Sequence, residues 1–191
     1  MNRNFSDAAE NDNALIKKMI EGDTSAFEPL VKRYWNQVFF VCMKYLKNSE
    51  QASDAAQETF ISAFTAIEGF DNSRSFKPWL LKIAVNKSIR QLNKDKASLN
   101  FSIEKSIGMQ HNSEPAKVVE ERQFFDDCIS RLELDDQILF ILRHGLDLAY
   151  DEIAVILEKP VGSVKGELFR ARKKLKDLLE KADGKEVETN V

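Results

Sequence analysis

The sequence YDEIAVILEKPVGSVK at residues 150–165 decides the fold of the C-terminal part of this chain. Apolar residues in its first half recur at three- and four-residue steps, which places them on one face of a helix. They are Ile153, Ile156 and Leu157. Pro160 and Gly162 then interrupt the pattern, because neither residue is well tolerated inside a helix. Since a second helical pattern follows to about residue 179, the segment predicts a helix-turn-helix.

The second helix of this motif has an apolar side and a basic side. Val161, Val164 and Leu168 are spaced to pack against the first helix. Six residues then point outward: Lys165, Gly166, Phe169, Arg170, Arg172 and Lys173. Compensation of the helix dipole does not account for Lys165, because the dipole disfavours cations in the first turns. The alternative is an ordinary amphipathic helix pair, but the pattern favours a helix that enters the major groove of DNA.

Composition extends the helical prediction to the whole chain. Its 191 residues include only 7 Gly and 4 Pro, and no stretch alternates apolar with polar residues over the length of a strand. No apolar run reaches the roughly 18 residues that a membrane helix needs. Residues 1–13 are polar and acidic, unlike a secretory signal. We expect an all-α, cytoplasmic protein with no membrane insertion of its own.

Charge is segregated along the chain, although the net charge is only −3. Residues 74–96 contain seven basic side chains and one acidic one, and residues 160–176 contain six and one. Residues 50–64 contain three acidic side chains and no basic one. This distribution is more informative than the sum, and it predicts surfaces with different partners.

Two small helical domains joined by a flexible linker are predicted. The N-terminal domain, at residues 10–94, is expected to contain four helices. The first covers about residues 13–20, the second starts at a capping box Ser25-x-x-Glu28, the third runs from the cap Asn48 to Ile67, and the fourth covers residues 77–93. Residues 95–117 are rich in Ser, Asn and Lys and are predicted to be the linker, with a packed loop as the alternative. The C-terminal domain is expected at residues 118–180, followed by a polar tail at residues 181–191.

The fourth helix combines aromatic and basic side chains. Phe76 and Trp79 fall on its predicted buried side, and Lys82, Lys87 and Arg90 fall on its outer sides. This combination suits an unpaired nucleic-acid strand, because every base offers a face for stacking and a phosphate for charge pairing. A core Trp on a solvated basic helix is the alternative.

The third helix carries an acidic stripe formed by Asp54, Gln57, Glu58 and Ile61. DNA does not attract such a stripe, so a protein partner with a basic surface is the economical explanation. A plain solvated face is the alternative.

No catalytic, metal or cofactor site is predicted. His111 and His144 have no neighbouring carboxylate or Cys in an arrangement that builds a triad or a metal site. Cys42 and Cys128 lie in apolar stretches and are predicted to be reduced core thiols. No glycine-rich phosphate loop is present. An enzyme is therefore disfavoured.

Three segments, in this order, resemble the extracytoplasmic-function (ECF) group of bacterial RNA polymerase sigma factors, within the sigma-70 family. They are ASDAAQETF at residues 52–60, FKPWLLKIAVN at residues 76–86, and residues 150–172. The resemblance implies a sigma factor that binds core RNA polymerase, reads the −35 and −10 promoter elements and promotes strand opening. It also implies contacts with the clamp coiled coil of the largest polymerase subunit and with the flap, and control by an anti-sigma factor.

By matching positions, the resemblance assigns three sets of residues. Docking on core polymerase falls to Asp54, Gln57, Glu58 and Ile61. The −10 element falls to Ala66, Phe70, Asn72, Arg74, Trp79, Lys82, Asn86, Lys87 and Arg90. Of these, Ala66, Phe70 and Asn86 would surround a flipped-out base. The −35 element falls to Ser163, Lys165, Gly166, Glu167, Phe169, Arg170, Arg172 and Lys173.

Three positions depart from the family pattern. Gly166 stands where Ser is common, and Glu167 stands where Arg is common. A carboxylate at position 167 would either accept a hydrogen bond from cytosine N4 or face away from phosphate. Glu158 occupies a helix end where Gly is frequent, at a cost of up to about 1 kcal/mol if its backbone is left-handed.

The alternative function is a stand-alone transcription regulator that binds duplex DNA through the C-terminal helices. That alternative leaves the acidic stripe and the basic aromatic helix without a role.

Overall fold

The computed structural model describes the backbone of residues 3–98 and 127–188, and the side chains of residues 12–94 and 127–180. These residues contain no strand, and they belong to two compact units. The structure thus confirms the predicted all-α class with two helical domains. Most of the predicted linker lies outside the described residues, but its first four residues, 95–98, continue a helix.

The N-terminal unit is built from four helices. They are α1 (Arg3–Ile20), α2 (Phe27–Leu46), α3 (Ser49–Ala66) and α4 (Phe76–Ser98). Helices α2, α3 and α4 pack against one another, and α1 packs against α2 and α4. Their apolar faces meet in a core that includes Leu30, Val38, Phe76, Leu80 and Ala84. Burying these side chains is the main source of stability for helices of this length.

A buried carboxylate attaches α1 to α2. Asp12 accepts hydrogen bonds from Arg33 and Tyr34. Burial raises the pKa of Asp12, although the Tyr34 and Arg33 hydrogen bonds oppose that rise. The contact therefore compensates a charge that would otherwise be costly to bury.

The helix ends follow local capping chemistry, with one correction. The predicted capping box at Ser25 is wrong: Asp23 instead accepts from the Ser25 N–H at 3.1 Å and starts a 3-10 turn, Thr24–Ala26, before α2. The predicted cap at Asn48 is confirmed, since its side chain accepts from the Gln51 N–H at 3.0 Å. Helix α3 ends in a second 3-10 turn, Ile67–Gly69.

The C-terminal unit contains helical residues 127–130 and three further helices. They are α5 (Leu134–Phe140), α6 (Tyr150–Leu157) and α7 (Val161–Glu188). Helix α5 continues into one π-helical turn, Ile141–Gly145. Cys128, Leu132 and Leu175 form a buried cluster that joins α7 to the start of the unit. Because α7 runs to Glu188, the predicted polar tail is helical over residues 181–188.

Helices α6 and α7 form the predicted helix-turn-helix. Glu158 ends α6 in a left-handed conformation with φ of 54°, as its position predicted. Helix α7 then begins at the carbonyl of Pro160, which accepts from the Ser163 and Val164 N–H groups at 2.9 and 3.1 Å. The prediction that Val161 packs against α6 is wrong, because this side chain is exposed.

Candidate protein- and nucleic-acid-binding surfaces

The acidic stripe of α3 lies on the outside of the N-terminal unit. We call Asp54, Gln57, Glu58 and Ile61 the α3 acidic face; all four are exposed, and Ile61 is 65% exposed. The opposite side of α3 is buried and consists mainly of small residues: Ala52, Ala55, Ala56, Thr59, Phe60 and Ala63. Close packing on that side fixes the direction in which the acidic face points. Phe64 adds a half-exposed aromatic ring one turn beyond Ile61.

The basic surface of α4 flanks its buried side. Asn86 and Arg90 are exposed, and Lys82 and Lys87 are half-buried. The buried side differs slightly from its prediction, because Leu81, Val85 and Ser88 are buried whereas Trp79 and Ile83 are half-buried. We call Lys82, Asn86, Lys87 and Arg90 the α4 basic face.

Three aromatic rings lie together where α4 begins. The Phe70 ring lies 4.9 Å from that of Trp79 and 5.8 Å from that of Phe76, measured between centroids. Phe70 is only 6% exposed, because its ring packs against Phe76 and Trp79. The Phe70 ring packs against the Trp79 ring, and part of the Trp79 side chain stays exposed. Ala66, at the end of α3, is exposed.

The turn between α3 and α4 presents Asn72 and Arg74, which are both exposed. Asp71 organises this turn by accepting from the Ser73 N–H at 3.0 Å and from the Ser73 hydroxyl at 2.7 Å. The Ser73 hydrogen bonds hold the pKa of Asp71 below its usual value. Arg74 lies 3.2 Å from the same carboxylate.

An ion pair joins two predicted surfaces of this unit. Lys87 Nζ of the α4 basic face donates to Glu58 Oε2 of the α3 acidic face at 3.2 Å. This contact was not predictable from local sequence patterns, because the two residues are 29 positions apart. A residue assigned to polymerase and a residue assigned to DNA thus neutralise each other.

The outward side of α7 carries the predicted DNA-reading residues. Ser163, Lys165, Phe169, Arg170, Arg172 and Lys173 are all exposed. Phe169 is 70% exposed, while Val164, Leu168 and Ala171 anchor the opposite side of the helix in the core. Gly166 is half-exposed, and a Cβ added there would meet only Arg170 Nη1 at 3.5 Å. The structure therefore has room for the Ser that is common at this position.

Glu167 does not belong to this free surface. Its carboxylate accepts a hydrogen bond from Lys159 Nζ at 2.8 Å. The contact directs the Glu167 carboxylate toward the turn that precedes α7.

Tyr150 gathers cations beside the first turns of α7. Lys165 Nζ lies 5.7 Å and the Arg143 guanidinium 5.3 Å from the centre of the Tyr150 ring. A hydrogen bond with Arg172 lowers the pKa of Tyr150. His144 Nε2 lies 3.4 Å from Arg172 Nη2, and burial together with the charges of Arg172 and Arg143 lowers the pKa of His144. Asp147 Oδ1 lies 3.5 Å from Arg143 Nη1, so one carboxylate already faces a cluster that is otherwise cationic.

Three members of this cluster were missed at the level of sequence. Arg143 and His144 come from the π-helical turn, and Tyr150 is the first residue of α6. The only available signal was the basic pair Arg143-His144 just before a glycine.

The cysteines are structural. Cys42 and Cys128 are buried, unpaired thiols, which confirms the prediction, and burial raises the pKa of Cys42. In the part of the chain that the structure describes, no group of His, Cys, Asp and Glu is arranged to hold a metal ion; His111 lies outside that part. None of the helices described there has both the length and the apolar character that crossing a membrane requires.

Comparison with known proteins identifies both units. The family model described as Sigma-70 region 2 matches residues 30–98, and the model described as Sigma-70, region 4 matches residues 123–175. The chain is 31% identical to the ECF RNA polymerase sigma factor SigW of Bacillus subtilis (strain 168), over 86% of this chain and 94% of that protein. It is also 31% identical to the ECF RNA polymerase sigma-E factor of Haemophilus influenzae, over 88% and 95%.

Two solved structures share the fold. CnrH, solved in complex with the cytosolic domain of CnrY, is 25% identical with a TM-score of 0.66, over 89% of this chain and 97% of that one. The sigma factor RpoE of Bartonella quintana, solved with the anti-sigma factor NepR, is 21% identical with a TM-score of 0.64, over 81% and 96%.

Proposed function

This chain belongs to the ECF group of the sigma-70 family of bacterial RNA polymerase sigma factors, and we propose that it divides promoter recognition among three of its surfaces. The α3 acidic face binds core RNA polymerase, the α4 basic face binds the −10 element, and the outward side of α7 reads the −35 element. Sigma factors act in transcription initiation as binding subunits, and we assign no reaction to this one.

The observation that carries the proposal is the presence of surfaces of opposite charge on neighbouring helices of one small unit. The α3 acidic face exposes two carboxylates and Ile61, and α4 exposes cations beside a partly exposed Trp. A DNA-binding protein without a protein partner has no use for the first surface, because carboxylates are repelled by phosphate. Its basic counterpart would be the clamp coiled coil of the largest polymerase subunit, and the flap would hold the C-terminal unit.

At the −10 element, the α4 basic face and Trp79 would capture an unpaired strand. Stacking of a base on an aromatic ring is worth roughly 1–3 kcal/mol, which offsets an unstacking cost of a few kcal/mol. Asn86 and Ala66 are exposed and available to a flipped base, while Phe70 supports the Trp79 ring. Asn72 and Arg74 extend the same surface into the turn before α4.

At the −35 element, the first turns of α7 would enter the major groove. Lys165 and Arg170 are the side chains suited to guanine, and the exposed Phe169 is suited to a thymine methyl group. Ser163, Arg172 and Lys173 would hold phosphates around them. The cations around Tyr150 extend this phosphate-binding surface into α6.

We further propose that the chain works in the cytoplasm and is held inactive by an anti-sigma factor. RpoE of Bartonella quintana was solved with such a partner, and CnrH was solved with the cytosolic domain of CnrY. An inhibitor of this chain would have to cover the α3 acidic face or the DNA surfaces.

Transcription by sigma-free core polymerase on a promoter library tests the proposal. The purified chain should confer defined start sites that share upstream sequences, while polymerase alone should give none. If a folded chain binds duplex DNA but confers no start sites and does not associate with polymerase, the protein is a stand-alone regulator.

A further inference from the structure

An ion pair closes the turn of the helix-turn-helix. Lys159 lies in the turn, and its Nζ donates to Oε2 of Glu167, in the second turn of α7, at 2.8 Å. The Lys159 side chain is 36% exposed and that of Glu167 is 24% exposed. Because both groups are partly withdrawn from water, solvent and salt screen this pair less than a pair on the surface.

The backbone holds Lys159 between the two helices. Its N–H donates to the Ala154 carbonyl of α6 at 3.0 Å, after the left-handed turn at Glu158. The next residue, Pro160, has a fixed φ and provides the carbonyl on which α7 starts. The Lys159 side chain therefore connects the end of α6 to the second turn of α7.

The first turns of α7 need such support. They contain Gly162 and Gly166, and each Gly lowers helix stability by roughly 1 kcal/mol relative to Ala. Val161 is exposed and contributes little packing. These are also the turns that carry Ser163 and Lys165, so their position controls how the proposed base-reading residues meet DNA.

The pair also occupies the carboxylate of Glu167. Lys159 holds Oε2 of Glu167 toward the turn before α7, so a move of the carboxylate toward cytosine N4 would weaken this contact and leave the Lys159 ammonium less well compensated. While the pair persists, the charge of Glu167 is compensated and does not repel the phosphates near Lys165 and Arg170.

We propose that Glu167 and Lys159 form a positioning pair that sets the first two turns of α7 for promoter binding, and that Glu167 reads no base. The inference rests on the proposed role of α7 in −35 recognition. It removes Glu167 from the base-reading set and adds Lys159 as a residue that controls the affinity of that set.

The test measures promoter binding by the full chain assembled with core polymerase. The promoter DNA is a library in which the −35 element is randomised. The variants are Glu167→Gln, Lys159→Met and the charge swap Lys159→Glu with Glu167→Lys. Each single variant should bind the preferred −35 sequence about fivefold more weakly, with the same preferred bases. The swap should restore affinity to within about twofold of the wild type, because it restores the pair.

Lys176 and Glu180 supply a matched control. They form an exposed ion pair of 3.5 Å on the same helix, so Glu180→Gln removes a comparable charge without touching the turn. This variant should bind like the wild type. The melting temperature of every variant is measured alongside to separate positioning from stability.

Three results would overturn the inference. A change in the preferred base at one position with Glu167→Gln, but not with Lys159→Met, would show that Glu167 reads a base. A lowered melting temperature with unchanged promoter affinity would show a purely structural pair, and no effect on either would show a pair without consequence. A wild-type chain without any −35 preference would instead refute the proposed function.

Discussion

Helices α4 and α7 both carry exposed cations, but their charges are arranged differently. On α4, Lys87 is paired with Glu58, a member of the α3 acidic face. On α7, Lys165 and Arg172 lie beside Tyr150 and other cations, and neither forms an ion pair with any described residue. The α3 acidic face and the α4 basic face of the N-terminal unit therefore share a contact, whereas Lys165 and Arg172 contact residues of the C-terminal unit.

The difference has a functional meaning. A partner that binds Glu58 competes with Lys87, so polymerase docking should release a cation for promoter DNA. We expect the N-terminal unit to bind DNA well only after it binds polymerase. In the C-terminal unit, Lys165 and Arg172 are not held by a described carboxylate, so this unit should bind duplex DNA without that step.

The largest effect is expected from Asp54→Lys, which tests whether the two functions are separate. Asp54 is exposed, so the substitution leaves the core intact, but it places a cation opposite a basic partner at a cost of several kcal/mol. Affinity for core polymerase should fall by about a hundredfold or more, as measured by fluorescence anisotropy. Binding to a −35 duplex should be unchanged.

Glu68→Lys is the control for this variant. It makes the same change of charge at an exposed residue outside the α3 acidic face. An Asp54→Lys protein that still assembles normally with polymerase would show that the docking face lies elsewhere.

The second effect is expected from Lys165→Glu, which tests the C-terminal half of the comparison. One good contact with a base edge is worth roughly 1–3 kcal/mol, so binding to the preferred −35 duplex should fall at least about fivefold. Core polymerase affinity should not change. Lys176→Glu, an exposed position three turns further along α7, should have little effect on either measurement.

Much of this arrangement was predictable because it is local in sequence. The spacing of Ile153, Ile156 and Leu157 sets the face of α6, and the cap at Asn48 needs only the Gln51 N–H three residues away. The left-handed residue at Glu158 lies at a helix end, where a left-handed residue commonly follows the last helical turn. The helix-turn-helix and the acidic stripe thus emerged from the sequence without three-dimensional information.

Other features depend on contacts between distant residues or on a choice between similar ones. Both ion pairs, Lys87–Glu58 and Lys159–Glu167, require the helices to be in place. Phe70 and Phe64 are equally hydrophobic, and the packing of Phe70 against Phe76 and Trp79 makes it the buried one. The helix ends at residues 98 and 188 were missed because Lys, Glu and Ala favour helices as well as solvent.

A smaller effect is expected from Glu58→Gln, which sharpens the N-terminal half of the comparison. Removing the carboxylate frees Lys87, so the chain without polymerase should bind a single-stranded −10 oligonucleotide about twofold to threefold more tightly. The logarithmic salt dependence should steepen by about 0.7, which corresponds to one additional phosphate contact on a single strand. At saturating polymerase the advantage should disappear, because docking already separates the pair in the wild type.

Glu68→Gln is the matched control, because it removes a carboxylate outside the Lys87–Glu58 pair. It should leave both the affinity for the single-stranded −10 oligonucleotide and its salt dependence unchanged. If Glu58→Gln and the wild type bind the oligonucleotide with equal affinity, the pairing of Lys87 does not limit DNA binding. The proposed coupling between the α3 acidic face and the α4 basic face would then be wrong.

An effect of similarly small size concerns pH and His144. In the free protein, burial and the charges of Arg172 and Arg143 lower the pKa of His144. The unfolded chain therefore binds more protons than the folded one between the folded pKa and about 6.5. The contribution of His144 to the free energy of unfolding should fall as the pH drops through this window.

DNA binding should respond in the opposite direction. A phosphate beside the cluster of Arg143, His144 and Arg172 favours the charged imidazole, so binding takes up a proton. Affinity for the −35 duplex should rise about twofold to threefold between pH 7.5 and 6, a small change typical of one histidine. In His144→Gln both trends should be absent. If the free energy of unfolding falls as the pH is lowered but the affinity for the −35 duplex does not change, His144 lies away from the phosphates. The cations around Tyr150 would then not extend the DNA-binding surface of α7 into α6.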